Sequence, residues 1–353
     1  MTHFVTGATG LVGSYICRYL LQQGKQVRAL CRKNSSFKLV EEVRDQIDWV
    51  EGDVTDIHSL DDALNGVEFV YHCAAVISFF PADRKRLYQT NVEGTANLVN
   101  VALDHSIRKF LHVSSVSAIG ETQGRMMNEM TKWDPDHTHP YYSLSKFLAE
   151  REVWRGQAEG LKTIILNPSN ILGPTEWGKK ANDKFFRIWN GLKFYPGGSL
   201  GWVDVRDVAW LITQAMDRDL SPKRIILSSE NLSFLEVFQL MANELDKPAP
   251  TVELPSWLLK AVSIPDTLLS SLIGKNPKVS REMAQISGLH LSYDNTLAKT
   301  LFDFNFTSVA EAVRDSAKAF KQAVETGKAA ATLPLKPYAA EKPEPLEVQM
   351  PAG

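Results

Sequence analysis

Residues 5–13 read "VTGATGLVG" and set Gly7, Gly10 and Gly13 three apart, directly behind the apolar run "HFVT" at 3–6. After them, "LVGSYICRYLLQQG" (11–24) carries apolar residues at helical spacing and stops at Gly24. In a strand–turn–helix of this kind, backbone N–H groups and a helix amino end can face a phosphate. Gly7 would then permit the tight turn, Gly10 the approach of backbone to a pyrophosphate, and Gly13 close packing of helix on strand. The spacing GxxGxxG is one residue longer than the commonest dinucleotide fingerprint. A plain structural turn explains it about as well, so the rest of the chain has to decide.

Outward from the glycines the pattern repeats. "QVRALC" (26–31), "IDWVEGD" (47–53), "VEFVYHCAA" (67–75), "KFLHVSS" (109–115) and "TIILNPS" (163–169) are short and β-rich. Longer amphipathic segments such as "LYQTNVEGTANLVNVALDH" (87–105) separate most of them. This alternation predicts an α/β fold with a parallel sheet covered on both faces, and ligands at the carboxyl ends of its strands. Beyond about residue 175 the pattern loosens into helical segments near 181–192, 207–216, 233–245, 280–287 and 308–326, with "RIILSS" (224–229) expected in or beside the main sheet. We therefore expect a dinucleotide-binding domain over 1–175, a smaller substrate lobe over 176–327, and a poorly ordered or surface-hugging tail over 328–353, which is rich in Ala, Pro and charge.

Composition narrows the function classes. The chain has 353 residues, 44% of them apolar and 23% charged, as in ordinary globular proteins, and a formal charge of -2. Nothing in that charge favours nucleic acid or an acidic membrane. Three cysteines (Cys17, Cys31 and Cys73) without a CxxC pair argue against a disulfide framework or a cysteine zinc site and for a reducing compartment. With neither a leader nor a span in view, the reading is a cytoplasmic protein acting on a small-molecule substrate, and it allows a homodimer.

Two further stretches carry chemistry. "YYSLSK" (141–146) sets Tyr142 and Lys146 four apart, on one face of a predicted helix, and "HVSS" (112–115) ends a predicted strand in two serines. Together with "TGATGLVG", "GDVTD", "HCAA", "NVEGT", "VSSVSAIG", "NPSNILGP" and "GWVDVRDVA", they make the chain, up to about residue 320, resemble the extended short-chain dehydrogenases/reductases. That group includes nucleotide-sugar epimerases and dehydratases, dihydroflavonol reductases and 3β-hydroxysteroid dehydrogenases. The resemblance implies a Rossmann-type doubly wound sheet with a smaller, mostly helical carboxyl-terminal lobe.

It also implies roles. Tyr142 would act as general acid toward a carbonyl or base toward an alcohol, Lys146 would favour its phenolate and hold the cofactor ribose, and Ser115, rather than Ser114, would hold the substrate oxygen. Gly7, Gly10, Leu11, Val12 and Gly13 would form the pyrophosphate loop. Asp53 and Val54 would frame the adenine, while Ala74 and Ala75 would line the ribose and pyrophosphate. Asn91 would order the site, and Pro168 to Ile171 would border the nicotinamide. His72 reads as a packed strand-end histidine.

An acid usually ends the second strand of NAD enzymes, but here "VRALCRKNSS" places Cys31 and Arg32. Arg32 can pair with a 2′-phosphate, which points to NADP, with NAD as the alternative. Ser199, Leu200 and Gly201 stand where nucleotide-sugar members tend to carry an arginine. With Phe79, Phe185 and other aromatics near the expected cleft, this favours an apolar or aromatic ketone or aldehyde, with Ser115 and Asn170 as polar contacts. The alternatives are a nucleotide-sugar epimerase/dehydratase and, from another class, a dinucleotide sensor or scaffold. "DPDHTHP" (134–140) lacks a second ligand cluster, so no metal is expected. "PSWLLKAVSIPDTLLSSLIG" (255–274) reads as a substrate lid or lobe helix.

Overall fold

Adjacent residues of a strand point to opposite faces, and in the strand Thr2–Thr6 (β1) that rule sends Phe4 into one apolar core and Val5 into another. Phe110/Leu111 in Lys109–Val113 (β5) and Ile165/Ile164 in Thr163–Pro168 (β6) divide in the same way. Both β5 and β6 are buried along their whole length, as a strand covered on two sides must be. The structure, a computed structural model, describes all residues except 121, 123, 177–183, 222, 256, 259–279, 329 and 339–353. The lid expected over 255–274 lies almost wholly outside the described residues.

The remaining strands of the first sheet are Gln26–Cys31 (β2), Asp48–Glu51 (β3) and Val67–His72 (β4). Two short strands, Asn170–Leu172 (β7) and Ser199–Asp204 (β8), follow β6, and then Lys223–Leu227 (β9) returns to the first sheet. Seven strands lie in the order β9-β6-β5-β4-β1-β2-β3, and every neighbouring pair is parallel. The chain runs outward from β1 to β2 and β3, then crosses back to β4 and continues the other way. This is the doubly wound Rossmann-type α/β arrangement, and its direction reverses between β1 and β4. The loops after those two strands flank the crevice where such sheets bind ligands.

Helices Leu11–Gln22 (α1) and Val205–Asp217 cover one face, while Ile57–Leu64 (α2), Gly94–Asp104 (α3) and Tyr141–Ala158 (α4) cover the other. The Asp56 side chain accepts the His58 N–H at 3.1 Å and so starts α2.

The smaller lobe is built on a three-stranded sheet in which β8 pairs in parallel with β7 and antiparallel with Glu230–Ser233 (β10). Lys184–Trp189 (α5), Phe234–Glu244 and Val309–Glu325 close around it, with Phe185, Ile188, Trp202, Met241 and Phe320 in the core. The described part of the tail lies along α1. Leu333 is buried, its N–H donates to the Tyr15 hydroxyl at 2.6 Å, and Tyr338 stacks on Trp210 with centroids 5.3 Å apart. No described helix is long and apolar enough to cross a membrane.

Candidate active site

At the turn after β1, Gly7 adopts φ +69°, a left-handed conformation that suits glycine, and a Cβ there would sit 2.7 Å from the Ala74 nitrogen. A Cβ on Gly13 would sit 2.3 Å from the Gly7 carbonyl oxygen. Packing therefore demands glycine at both positions. Gly10 differs, because a Cβ there meets only the Gly7 oxygen, at 3.2 Å. Gly10 is also the N-cap of α1, and no side chain caps that helix. Bare backbone at the start of a 12-residue helix, with room above it, fits the phosphates of a dinucleotide. Leu11 and Val12 are half-buried in the first turn and pack against the same core as Ile171.

The wall opposite is the loop after β4. Ala74 donates its N–H to Thr6 Oγ1 at 3.2 Å, and Ala75 is exposed. Asn91, almost fully buried, grips Val76 from both sides, accepting its N–H at 2.7 Å and donating to its carbonyl at 3.0 Å. Its amide also donates to Ser145 Oγ on α4 at 2.9 Å. Asp53 folds into an Asx turn with Thr55, and the Val54 side chain packs where a Cβ on Gly94 would clash. Arg32 is exposed just past β2, and its guanidinium has no hydrogen-bond or ion-pair partner among the described residues.

The chemistry-bearing side chains meet at the carboxyl end of β5. Ser115 follows that strand in an extended conformation, its hydroxyl accepts the Ser117 N–H at 3.2 Å, and it lies close enough to the Tyr142 phenol from α4 to favour the phenolate. Burial raises the Tyr142 pKa to about 12, and the nearby Ser115 hydroxyl works against that rise. One turn further on, Lys146 is buried, and its ammonium donates to the Val113 carbonyl at 3.0 Å and to His112 Nε2 at 3.4 Å. Burial lowers its pKa to about 8, while the negative charge of Glu150 pulls the other way. The Phe79 ring stands edge-on to Tyr142 with centroids 5.6 Å apart, so an apolar wall adjoins the phenol.

Glu150 was not among the residues singled out from sequence, although Tyr142, Lys146 and Glu150 repeat every four positions along one helix face. It is almost fully buried, and its carboxylate accepts from Ser114 Oγ and Asn167 Nδ2, both at 2.6 Å, and from the Arg224 guanidinium. Asn167 also donates to the Ser115 carbonyl at 2.8 Å. The two serines are thereby distinguished. The Ser114 hydroxyl is committed to Glu150, and that of Ser115 faces the phenol.

Pro168 closes β6 in the core, and Asn170 and Ile171 are half-buried in β7 beside Trp202–Val203. Phe185, by contrast, is buried in the core of the smaller lobe, stacked with Phe320 at 6.3 Å, and serves that packing. In the 134–140 loop His139 stacks on Trp133 at 3.7 Å, and its Nε2 bonds the Asp134 carbonyl. Among the described residues no group of three or more His, Cys, Asp or Glu is placed to hold a metal ion.

Comparison with known proteins adds four findings. Residues 3–227 match the model of the NAD dependent epimerase/dehydratase family. Over 329 residues the chain is 31% identical to a "Putative dihydroflavonol 4-reductase" of Synechocystis, covering 90% of this chain and 94% of that one. It is also 31% identical, over 75% of its length and 80% of the relative's, to "Sterol demethylase protein B" of Methylococcus capsulatus. A solved structure described as that of gox2253 superposes with a TM-score of 0.79 at 30% identity, covering 91% of this chain and 98% of the other.

Proposed function

This chain belongs to the NAD dependent epimerase/dehydratase family, and on that premise we propose that it is an NADP-dependent oxidoreductase that interconverts a carbonyl and an alcohol on an apolar or aromatic small molecule. The nearness of the Ser115 hydroxyl to the Tyr142 phenol, with buried Lys146 one turn beyond, carries the reading.

When bound, the nicotinamide supplies or takes the hydride. Around it the protein manages one proton and one oxygen. Ser115 donates a hydrogen bond to the substrate oxygen and holds it against Tyr142. The Tyr142 hydroxyl gives its proton to that oxygen as negative charge develops on it, and the Lys146 ammonium stabilises the phenolate left behind. A tyrosine whose pKa stands near 12 is fully protonated at neutral pH, so reduction starts from the acid form. Glu150 steadies both partners. Its charge favours the ammonium, and through Asn167 it holds the Ser115 backbone.

Arg32 supports NADP, since an exposed guanidinium past β2 can pair with a 2′-phosphate at little cost in desolvation. The substrate class rests on Phe79 and on β8. A Cβ at Gly201 would meet Ser228 and Tyr293, and with Ser199 and Leu200 beside it this stretch offers no cation for a diphosphate. The test is a panel of apolar and aromatic ketones and aldehydes beside nucleotide sugars, each assayed with NADPH and NADH by absorbance of the reduced cofactor. Turnover of a nucleotide sugar alone would overturn the substrate class.

A further inference from the structure

His72 closes β4 with none of its surface exposed, and the chemistry above does not use it. Its ring has a partner on each side. Nδ1 lies 2.7 Å from Thr6 Oγ1, and Nε2 lies 2.9 Å from Thr95 Oγ1.

The surroundings settle the direction of both bonds. Thr95 gives its one hydroxyl proton to the Asn91 carbonyl oxygen at 2.6 Å, so toward the ring it can only accept, and Nε2 carries the hydrogen. Nδ1 is then bare and accepts from Thr6, whose oxygen accepts the Ala74 N–H. Burial, and secondarily the Lys146 charge, hold the ring neutral, with a pKa lowered to about 3.

Four hydrogen bonds therefore point one way, from Ala74 through Thr6, His72 and Thr95 to the Asn91 backbone. The Asn91 side chain carries the line on to Ser145 Oγ, which donates to the Tyr142 carbonyl at 2.8 Å. Hydrogen bonds aligned in this way polarise and strengthen one another. Thr6 precedes Gly7, Ala74 and Val76 form the opposite wall, and Tyr142 is on the catalytic helix. One ring thus joins three separate parts of the crevice.

We propose that His72, held as the Nε2–H tautomer between Thr6 and Thr95, is a positioning residue that sets the two walls of the dinucleotide crevice relative to the catalytic helix. This deepens the proposed function and rests on its placing of the dinucleotide.

Two measurements test it. Long-range nitrogen–proton NMR of the full chain labelled at histidine should show a neutral ring with the proton on Nε2 at pH 7, and a proton on Nδ1 or a charged ring would overturn the inference. Thr95→Val removes the hydroxyl while nearly keeping the shape. It should weaken NADPH binding about tenfold by calorimetric titration, the scale of one buried hydrogen bond, with kcat falling by less than about threefold. Thr95→Ser should restore the affinity. Unchanged affinity in Thr95→Val, or no rescue by serine, overturns the positioning role alone. Failure of the unaltered protein to bind either dinucleotide overturns the proposed function, and this inference with it.

Discussion

Lys146 Nζ lies 3.4 Å from His112 Nε2, so the ammonium to which we assign the stabilising of the phenolate is held by an uncharged ring from β5. Burial, then the Lys146 charge, keep the His112 pKa well below its usual value, and its Nε2 accepts. The lysine itself has its pKa lowered by burial to about 8. Below that pH the ammonium is present, and above it the neutral amine.

For the free protein, kcat/KM measured for the cofactor should therefore fall above about pH 8 along a one-proton limb. Lys146→Arg keeps its charge at any working pH and should abolish the limb. Between about pH 8 and 10.5 the unfolded chain holds a proton that the folded chain has lost, so on this account stability rises with pH there. A limb that persists in Lys146→Arg would assign it to another group.

Tyr142→Phe removes the transferable proton and keeps the ring that meets Phe79. Turnover should fall at least ~100-fold, the low end for general acid–base catalysis. Cofactor affinity should stay near normal, because in the proposed mechanism the phenol serves the substrate oxygen. Steady-state kinetics beside a cofactor titration separate the two effects, and near-normal turnover would return Tyr142 to a packing role.

Arg32→Ala should remove most of a preference for NADPH over NADH, about tenfold or 1.4 kcal/mol for one exposed charge-assisted pair. Titration of both cofactors against both proteins measures it. Equal affinities in the unaltered protein would sink the NADP assignment.

Gly10 and Gly13 should respond oppositely to a side chain. Gly13→Ala drives a methyl to 2.3 Å from the Gly7 oxygen, so the fold should lose about 1–3 kcal/mol, the usual cost of overpacking. Gly10→Val has more room and should keep its melting temperature within a few degrees while losing dinucleotide binding. Normal binding by Gly10→Val would make the whole loop a structural turn.

Acid should unfold the protein through its neutral buried histidines. Burial lowers His3 to about 4 and His72 to about 3, and it holds His112 well below the usual range. Depressed folded values mean that this stability is present above pH 6.5 and is lost as pH falls toward them. The loss is about 2 kcal/mol for each of His3 and His72 by pH 5. Asp207, raised by burial to about 6, takes up a proton on the way down and offsets about 1 kcal/mol of that. Urea midpoints at pH 7 and pH 5 should differ clearly, and equal midpoints would contradict the burial of these rings.

Much of the architecture was legible from local pattern. A short apolar run and the glycine turn behind it marked β1 and α1, and the four-residue spacing put Tyr142 and Lys146 on one helix face. These are properties of neighbouring residues, and backbone geometry alone relates them. The partners of the site were not legible in that way. His72 and His112 stand side by side only because β4 pairs with β5 in that register. Glu150 meets Asn167 and Arg224 only because β6 and β9 pair side by side within reach of the same helix. Phe185, read as a cleft residue, joins Phe320 from 135 positions further along in the lobe core. The tail had no helical or strand period to read, yet Leu333 and Tyr338 find Tyr15 and Trp210. Burying a polar group requires a hydrogen-bonding partner, and burying a ring requires a complementary surface. Which residue supplies either depends on strand order and register, so local sequence determined the elements and the tertiary structure alone decided which side chains met.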